Sequence, residues 1–433
     1  MLYDMINATT GTPSDNDTNM TNHTLFGDTI TRQDGTKGIA SKMGVYRTSK
    51  VITGQAAGTF DGKGEQATFN MLGDFNDRND VDHKVQYYYN PASRDWQAYI
   101  GEILINAIDD YGFDGWQGDT IGNINGAIYE NRDTDQTFNT SGTYDQFVNY
   151  QKQRWFASKC FGMNTVNYDG QDAINKSSAD FNYSEIWQDS YSKYIDLANL
   201  IEKVNNTSSH PLIMPAYLYQ KWYKSGGVPS HFLDDAVLLR DAVIFAHGGA
   251  PMELADNGYQ LPTEYYPDTR KNYKIMMTNA LGDPDNGKLR KMYNFVCAYS
   301  NLLYGLKMIN NQVAVFNEMQ YDISSSNADT NKVYAFAKSN GDVETINLIN
   351  MMGVSDSDWQ INNANDENSK RIVMQSNLTI KYYTDKRGKL YHASFDNSGI
   401  RQELKYNENS DSNGRYITFT IPTLETWDLI YMN

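Results

Sequence analysis

At 433 residues the chain can bury one large core and a smaller second domain. Its formal charge of −16, with no Lys/Arg cluster to offset it, argues against a nucleic-acid backbone as ligand. Two distant cysteines, Cys160 and Cys297, and six histidines without paired helical spacing leave no disulfide, thiol or metal motif, so no cofactor is expected and catalysis falls to carboxylates.

In chain order, residues 2–8 are strand-like and start abruptly. The first residues lack a basic stretch followed by an apolar one, and no apolar run reaches membrane length, so neither an export signal nor membrane insertion is expected of the sequence as given. Residues 9–84 are Asn/Asp/Thr/Gly-rich and read as a long elaborated loop carrying one short strand or helix. A short strand follows at 85–90, stopped by Pro91. Helical spacing over 95–110 lines up Trp96, Tyr99, Ile100, Ile103, Leu104 and Ala107, and leads into a buried strand at 113–119. Strand, helix and strand together predict a parallel βαβ unit.

Thr143 and Gln146 have the spacing of a capping box. It would open a helix with Tyr144, Phe147, Val148, Gln151 and Trp155 on one side. Further strands are expected at 163–167, 180–187, 211–217 and 250–255. Between them lie a helical piece at 171–176 and helices near 191–204 and at 234–246, the last ended by His247-Gly-Gly, with more helical pieces over 272–305. That makes seven strands, one short of a closed eight-stranded barrel. Cys160 and Cys297 sit among apolar residues and read as small buried hydrophobes. After about residue 310 the pattern changes to period-2 alternation separated by polar turns, the mark of an antiparallel sandwich. The expected domains are therefore an α/β barrel over 1–310 and a β-sandwich over 311–433.

Two carboxylates stand at or near strand ends, Asp119 and Glu185. Alternation places Gly115 and Gln117 on the face of Asp119, with Trp116 and Asp114 opposite, and puts Tyr183 and Trp187 on the face of Glu185. Trp116 is expected to pack between strand and helix, and Asp114 to be structural. Carboxyl groups about 5–5.5 Å apart suit a retaining glycosidase, one attacking the anomeric carbon and the other donating and recovering a proton. The nucleophile would be kept ionised by backbone N–H groups of 120–122. The acid would keep its proton through an apolar neighbour, Trp187, and the first carboxylate. In the alternative, Asp119 caps the following segment and Glu185 pairs with a neighbouring Arg or Lys. Thirty-two tyrosines and seven tryptophans supply rings suited to sugars.

The stretch Gly112-Phe-Asp-Gly-Trp-Gln-Gly-Asp-Thr-Ile-Gly122 resembles the signature of glycoside hydrolase family 66, the dextranases and cycloisomaltooligosaccharide glucanotransferases. Supporting pieces fall in the family's order: Asn90-Pro91, Asp95-Trp-Gln97, Tyr183-Ser-Glu-Ile-Trp187, His247-Gly-Gly-Ala-Pro-Met-Glu-Leu-Ala255, Glu264-Tyr-Tyr-Pro267 and Tyr293 to Leu303. The resemblance implies a (β/α)8 barrel of the TIM type that cleaves α-1,6-glucan with retention. Asp119 would be the nucleophile after strand four and Glu185 the acid/base after strand six. Asn90, Gln117, Trp187, Tyr217 and Glu253 would hold glucose rings.

Dextran and isomaltooligosaccharides are the implied partners, and the implied location is extracellular or at the cell surface. Relative to the family the chain is expected to start near strand two, after a signal peptide, an immunoglobulin-like domain and the first strand. No large carbohydrate-binding insertion fits between 255 and 310, which favours hydrolysis over cyclisation. A cyclising or transglycosylating glucanotransferase and a non-catalytic glucan-binding remnant are the alternatives.

Overall fold

The computed structural model describes residues 91–120, 140–187, 191–218, 233–252 and 287–432 apart from isolated positions, and the backbone of short strands in the remaining segments. The chain forms two compact units, Met1–Glu185 and Ile186–Asn433.

In the first unit four parallel strands lie in the order Leu2–Met5, Gly115–Asp119, Cys160–Asn164, Phe181–Tyr183. The helix Arg94–Tyr111 buries Trp96, Tyr99, Ile100, Leu104 and Ile108. Steps of four from Trp96 reach Ile108, which leaves Ile103, expected in the stripe from spacing, on the flank at 43% exposure. The helix stops where Gly112 takes φ 72 and the Phe113 N–H reaches back to Ile108 O at 2.9 Å, a left-handed glycine stop.

The βαβ expectation needs one correction. Val85–Tyr89 is a strand, but it pairs antiparallel with Ala8–Gly11 and Val45–Thr48. The parallel neighbour of Gly115–Asp119 on that side is Leu2–Met5, in register from Leu2 with Trp116 to Met5 with Asp119. Residues 9–84 also hold more strand than expected, with the hairpins Thr29–Thr31/Lys37–Ile39 and Gly58–Phe60/Ala67–Phe69. The capping box does not form. Thr140–Thr143 is a 3-10 turn, and Thr143 has φ −119 and ψ −1 with no side-chain cap bond, so it lacks the extended backbone that aims a capping hydroxyl. The helix Tyr144–Arg154 still buries Tyr144, Phe147, Val148 and Gln151.

The second unit contains the parallel pair Leu212–Met214 and Ala250–Pro251, a bridge between Ile186 and Ala216, and the helices Tyr194–Thr207 and Asp234–Ala246. Asp234–Ala246 is buried over Ala236–Ala246 and ends as expected, with Gly248 at φ 85. From Lys307 onward the strands form two sheets. One runs Lys307–Ile309, Val333–Ser339, Glu344–Asn350, Trp427–Met432, Leu390–Ser394, Gln402–Leu404; the other Val313–Phe316, Gln375–Tyr383, Gly414–Leu424, Asn407–Asp411. A core of Val315, Val333, Ile346, Leu348, Leu378, Ile380, Ile417, Phe419 and Ile430 joins them. The six alternating runs of the sequence, at 333–337, 345–349, 378–383, 389–395, 416–421 and 427–431, all fall on strands here. The additional ones are short or, like Asn407–Asp411, exposed throughout, and so carry no alternation to read.

Neither cysteine is a fully buried hydrophobe: Cys160 is half-buried and Cys297 exposed, on the outer face of Lys288–Ala298. Among the described residues no helix is long and apolar enough to cross a membrane.

Candidate active site

The Gly115–Asp119 strand has two unlike faces. Trp116, fully buried, stacks on Phe161 at 4.8 Å between ring centroids and meets Phe147 and Phe156. It packs between strand and helix, as alternation predicts, while Asp114 is exposed. The opposite face carries Gln117 and Asp119, both half-buried. Register puts Gly162 beside Gln117 and Phe181 beside Gly162. A Cβ at Gly162 would lie 2.3 Å from the Phe181 ring, so glycine there is what lets that ring occupy the face.

One step past the pair Met163 with Gly118, Asn164 comes beside Asp119. Its Nδ2 donates to Asp119 Oδ1 at 2.8 Å, while its Oδ1 accepts the Glu185 backbone N–H at 3.2 Å. Asn164 is fully buried, whereas Asp119 and Glu185 are half-exposed. The Thr120 hydroxyl donates to Asn164 O at 3.1 Å. The donor to Asp119 found here is thus an asparagine side chain; of the expected donors at 120–122, residues 121 and 122 lie outside the described residues.

The segment after Asn164 grips the approach to Glu185. The Thr165 N–H donates to Tyr183 O at 3.0 Å, and the Asn167 N–H to Glu185 O at 2.7 Å. The Ser184 hydroxyl donates to Thr165 O at 2.6 Å and accepts the Tyr168 N–H at 3.0 Å. Asn167 and Tyr168 take φ 54 and 67, left-handed values costing non-glycine residues on the order of 1 kcal/mol each. Behind them the buried Gln171 amide donates to Asn175 at 2.8 Å and Asn182 at 3.0 Å.

In the second unit Trp187 and Tyr217 meet edge-on, ring centroids 5.5 Å apart. The turn after Ala216 is braced by the Arg240 guanidinium, which donates to Ala216 O at 3.0 Å and is paired with Asp241 at 2.7 Å. A loop of the sandwich also reaches these segments. Trp359 donates its N–H to Ser192 O and its indole N–H to Tyr191 O, and the Ile361 N–H donates to Leu218 O at 2.8 Å. Asn90 and Glu253 lie outside the described residues.

Asn164 is the residue that sequence reasoning missed. The strand expected at 163–167 runs over Cys160–Asn164, so the expected bounds put this asparagine near the strand's start rather than at its carboxyl end. Correct bounds with alternation would have put it on the face of Asp119.

The chain matches the family model described as glycosyl hydrolase family 66 over residues 40–431, and it belongs to that family. It is 28% identical over 424 residues to a dextranase of Streptococcus salivarius, covering 86% of this chain and 49% of that protein. A cycloisomaltooligosaccharide glucanotransferase of Niallia circulans is 32% identical over 236 residues, 51% of this chain and 23% of that one. The chain thus spans about half the length of the first relative and under a quarter of the second. The crystal structure of a Paenibacillus cycloisomaltooligosaccharide glucanotransferase complexed with cycloisomaltoheptaose superposes with TM-score 0.72 at 19% identity, covering 100% of this chain and 73% of that one. The fold is therefore shared with that structure.

Proposed function

We propose that the chain is a retaining endo-hydrolase of α-1,6-glucosidic bonds in dextran and isomaltooligosaccharides, with Asp119 as nucleophile and Glu185 as acid/base. The observation supporting this reading is that a single buried side chain, Asn164, touches both the Asp119 carboxylate and the Glu185 backbone, which brings the two acidic residues to neighbouring strand ends. The names of the relatives supply the substrate class. The parallel strands belong, in this reading, to a TIM-type barrel, whose chemistry sits at the carboxyl ends of the strands. With Gly115–Asp119 as the fourth strand, Leu2–Met5 takes the third place rather than the second, because Val85–Tyr89 pairs elsewhere.

An ionised oxygen of Asp119 attacks C1 of the sugar. The C1–O6 bond breaks, its electron pair leaves with O6, and Glu185 transfers its proton to that oxygen. The resulting ester is then opened by water: Glu185 takes a proton from the water, the new C1–O bond forms, and the Asp119 carboxylate is released. Gln117, Trp187, Tyr217, Asn90 and Glu253 are assigned to sugar binding, the rings by stacking and the polar groups by hydrogen bonds. An extracellular or cell-surface location goes with a polymeric substrate.

Reducing-sugar release from dextran by the wild type and by Asp119→Asn tests the proposal. Wild-type release with retained anomeric configuration, lost in the variant, supports it; a variant that keeps most of the release sinks it. Chromatography of the products separates linear oligosaccharides, expected here, from the cyclic or lengthened ones of a glucanotransferase.

A further inference from the structure

Asn164 is placed as more than a satisfied buried amide. Only its Nδ2 can donate to a carboxylate and only its Oδ1 can accept a backbone N–H, so its two contacts, Asp119 Oδ1 at 2.8 Å and Glu185 N at 3.2 Å, fix which way the amide points. It has no exposed surface, so bulk water cannot stand in for either contact. Its own backbone is tied to the Asp119 side of the site by the Thr120 hydroxyl.

The Glu185 end is held from the same segment. Glu185 offers one backbone donor and one backbone acceptor; Asn164 Oδ1 takes the donor and the Asn167 N–H fills the acceptor at 2.7 Å. The two left-handed residues, Asn167 and Tyr168, are what turn the N–H groups of 167 and 168 toward Glu185 and Ser184. Residues 164–168 thus behave as one clamp, with the Asn164 side chain reaching across to the other carboxylate.

We propose that Asn164 is the positioning residue of this site, holding the Asp119 carboxylate ionised and aimed while anchoring the backbone of Glu185. It rests on the proposed hydrolase reading and adds to it a neutral amide that links the Asp119 carboxylate to the Glu185 backbone. A hydrogen bond to the ionised form favours that form, so removing the donor makes Asp119 protonate at higher pH. An aspartate at 164 keeps the volume and the acceptor for the Glu185 N–H, but sets a second carboxylate at hydrogen-bond distance from the first. The two would then titrate as a pair.

The test is the pH profile of kcat/KM for dextran, measured with the full chain for wild type, Asn164→Asp and Asp119→Asn. For Asn164→Asp the acid limb is expected to move up by about one pH unit or more. Its kcat should fall on the order of a hundredfold while KM stays within about threefold. If the aspartate variant does not fold, Asn164→Ser carries the test, with a smaller displacement in the same upward direction. A cleaving wild type whose position-164 variants keep the wild-type acid limb, or lose affinity rather than kcat, overturns the role of Asn164 alone. A wild type that releases no sugar, or an Asp119→Asn that keeps releasing it, overturns the proposed hydrolase and this role with it.

Discussion

Two buried polar clusters in this chain are built on opposite plans. Around Asn164 the buried member is a neutral amide, and the two acidic residues it touches, Asp119 at its carboxylate and Glu185 at its backbone N–H, are half-exposed. Around His247 the imidazole and the Lys338 ammonium are themselves buried, and Glu202 is mostly so. His247 Nδ1 meets Glu202 at 2.8 Å and its Nε2 meets the Tyr334 hydroxyl at 2.8 Å, while the Lys338 ammonium donates to His247 O at 2.7 Å. His247 also stacks on Phe336, centroids 4.1 Å apart, and Lys338 has no exposed surface. Burial pushes both the imidazole and the ammonium below their ordinary titration ranges, against the pull of Glu202.

Under the proposed function the difference separates chemistry from support. A carboxylate that can be reached, with only its neutral neighbour buried, keeps its charge available to a substrate. These largely buried ionisable groups tie helix Tyr194–Thr207, the end of helix Asp234–Ala246 and strand Val333–Ser339 to one another. Buried polarity alone does not mark an active site.

The comparison breaks first, if it is wrong, at the carboxylates. Asp119→Asn should lower kcat for dextran by at least about a thousandfold with little change in unfolding midpoint. Glu185→Gln should lose on the order of a hundredfold or more on dextran, and much less on an aryl glycoside whose leaving group needs no proton; equal losses on both would argue against an acid/base there. At the other cluster the effects reverse. Lys338→Met leaves Glu202 and the His247 carbonyl without their cation, and should cost about 3–5 kcal/mol in urea unfolding while kcat of the folded protein stays within about twofold.

The smallest expected effect concerns a third carboxyl, in the sandwich. Burial pushes Asp396 up to about 7 from 3.8, although the Thr426 N–H hydrogen bond pulls the other way. The folded group keeps its proton where the unfolded chain has lost it. Its contribution is therefore whole below pH 3.8 and is lost as pH rises through 7. Asp396→Asn should match the wild type near pH 3.5 and unfold at a higher urea concentration than the wild type at pH 8. His247 works with the opposite sign: held neutral in the fold, it stabilises above its ordinary 6.5 and loses that contribution as pH falls.

Much of this was legible locally and some could not be. Alternation found the six main sandwich strands, the inward packing of Trp116 and the strand end at Asp119, because side-chain period is a property of neighbouring residues. Pairing is not. The aromatic run Val85–Tyr89 reads equally well as a parallel or an antiparallel strand, and only its partners, Ala8–Gly11 and Val45–Thr48, decide. Asn164 escaped because a boundary three residues off hides which residue closes the strand. The spacing of Thr143 and Gln146 suited a capping box, yet the 3-10 turn before the helix sets a backbone that cannot use it.

The most direct measurement is to trap the sugar on the enzyme. Incubation with a 5-fluoro-α-isomaltosyl fluoride, followed by peptide mass spectrometry, should find the glycosyl group on the peptide containing Asp119 and on Asp119 within it. Label on another carboxylate, or turnover that leaves no adduct and releases product of inverted configuration, would contradict the account.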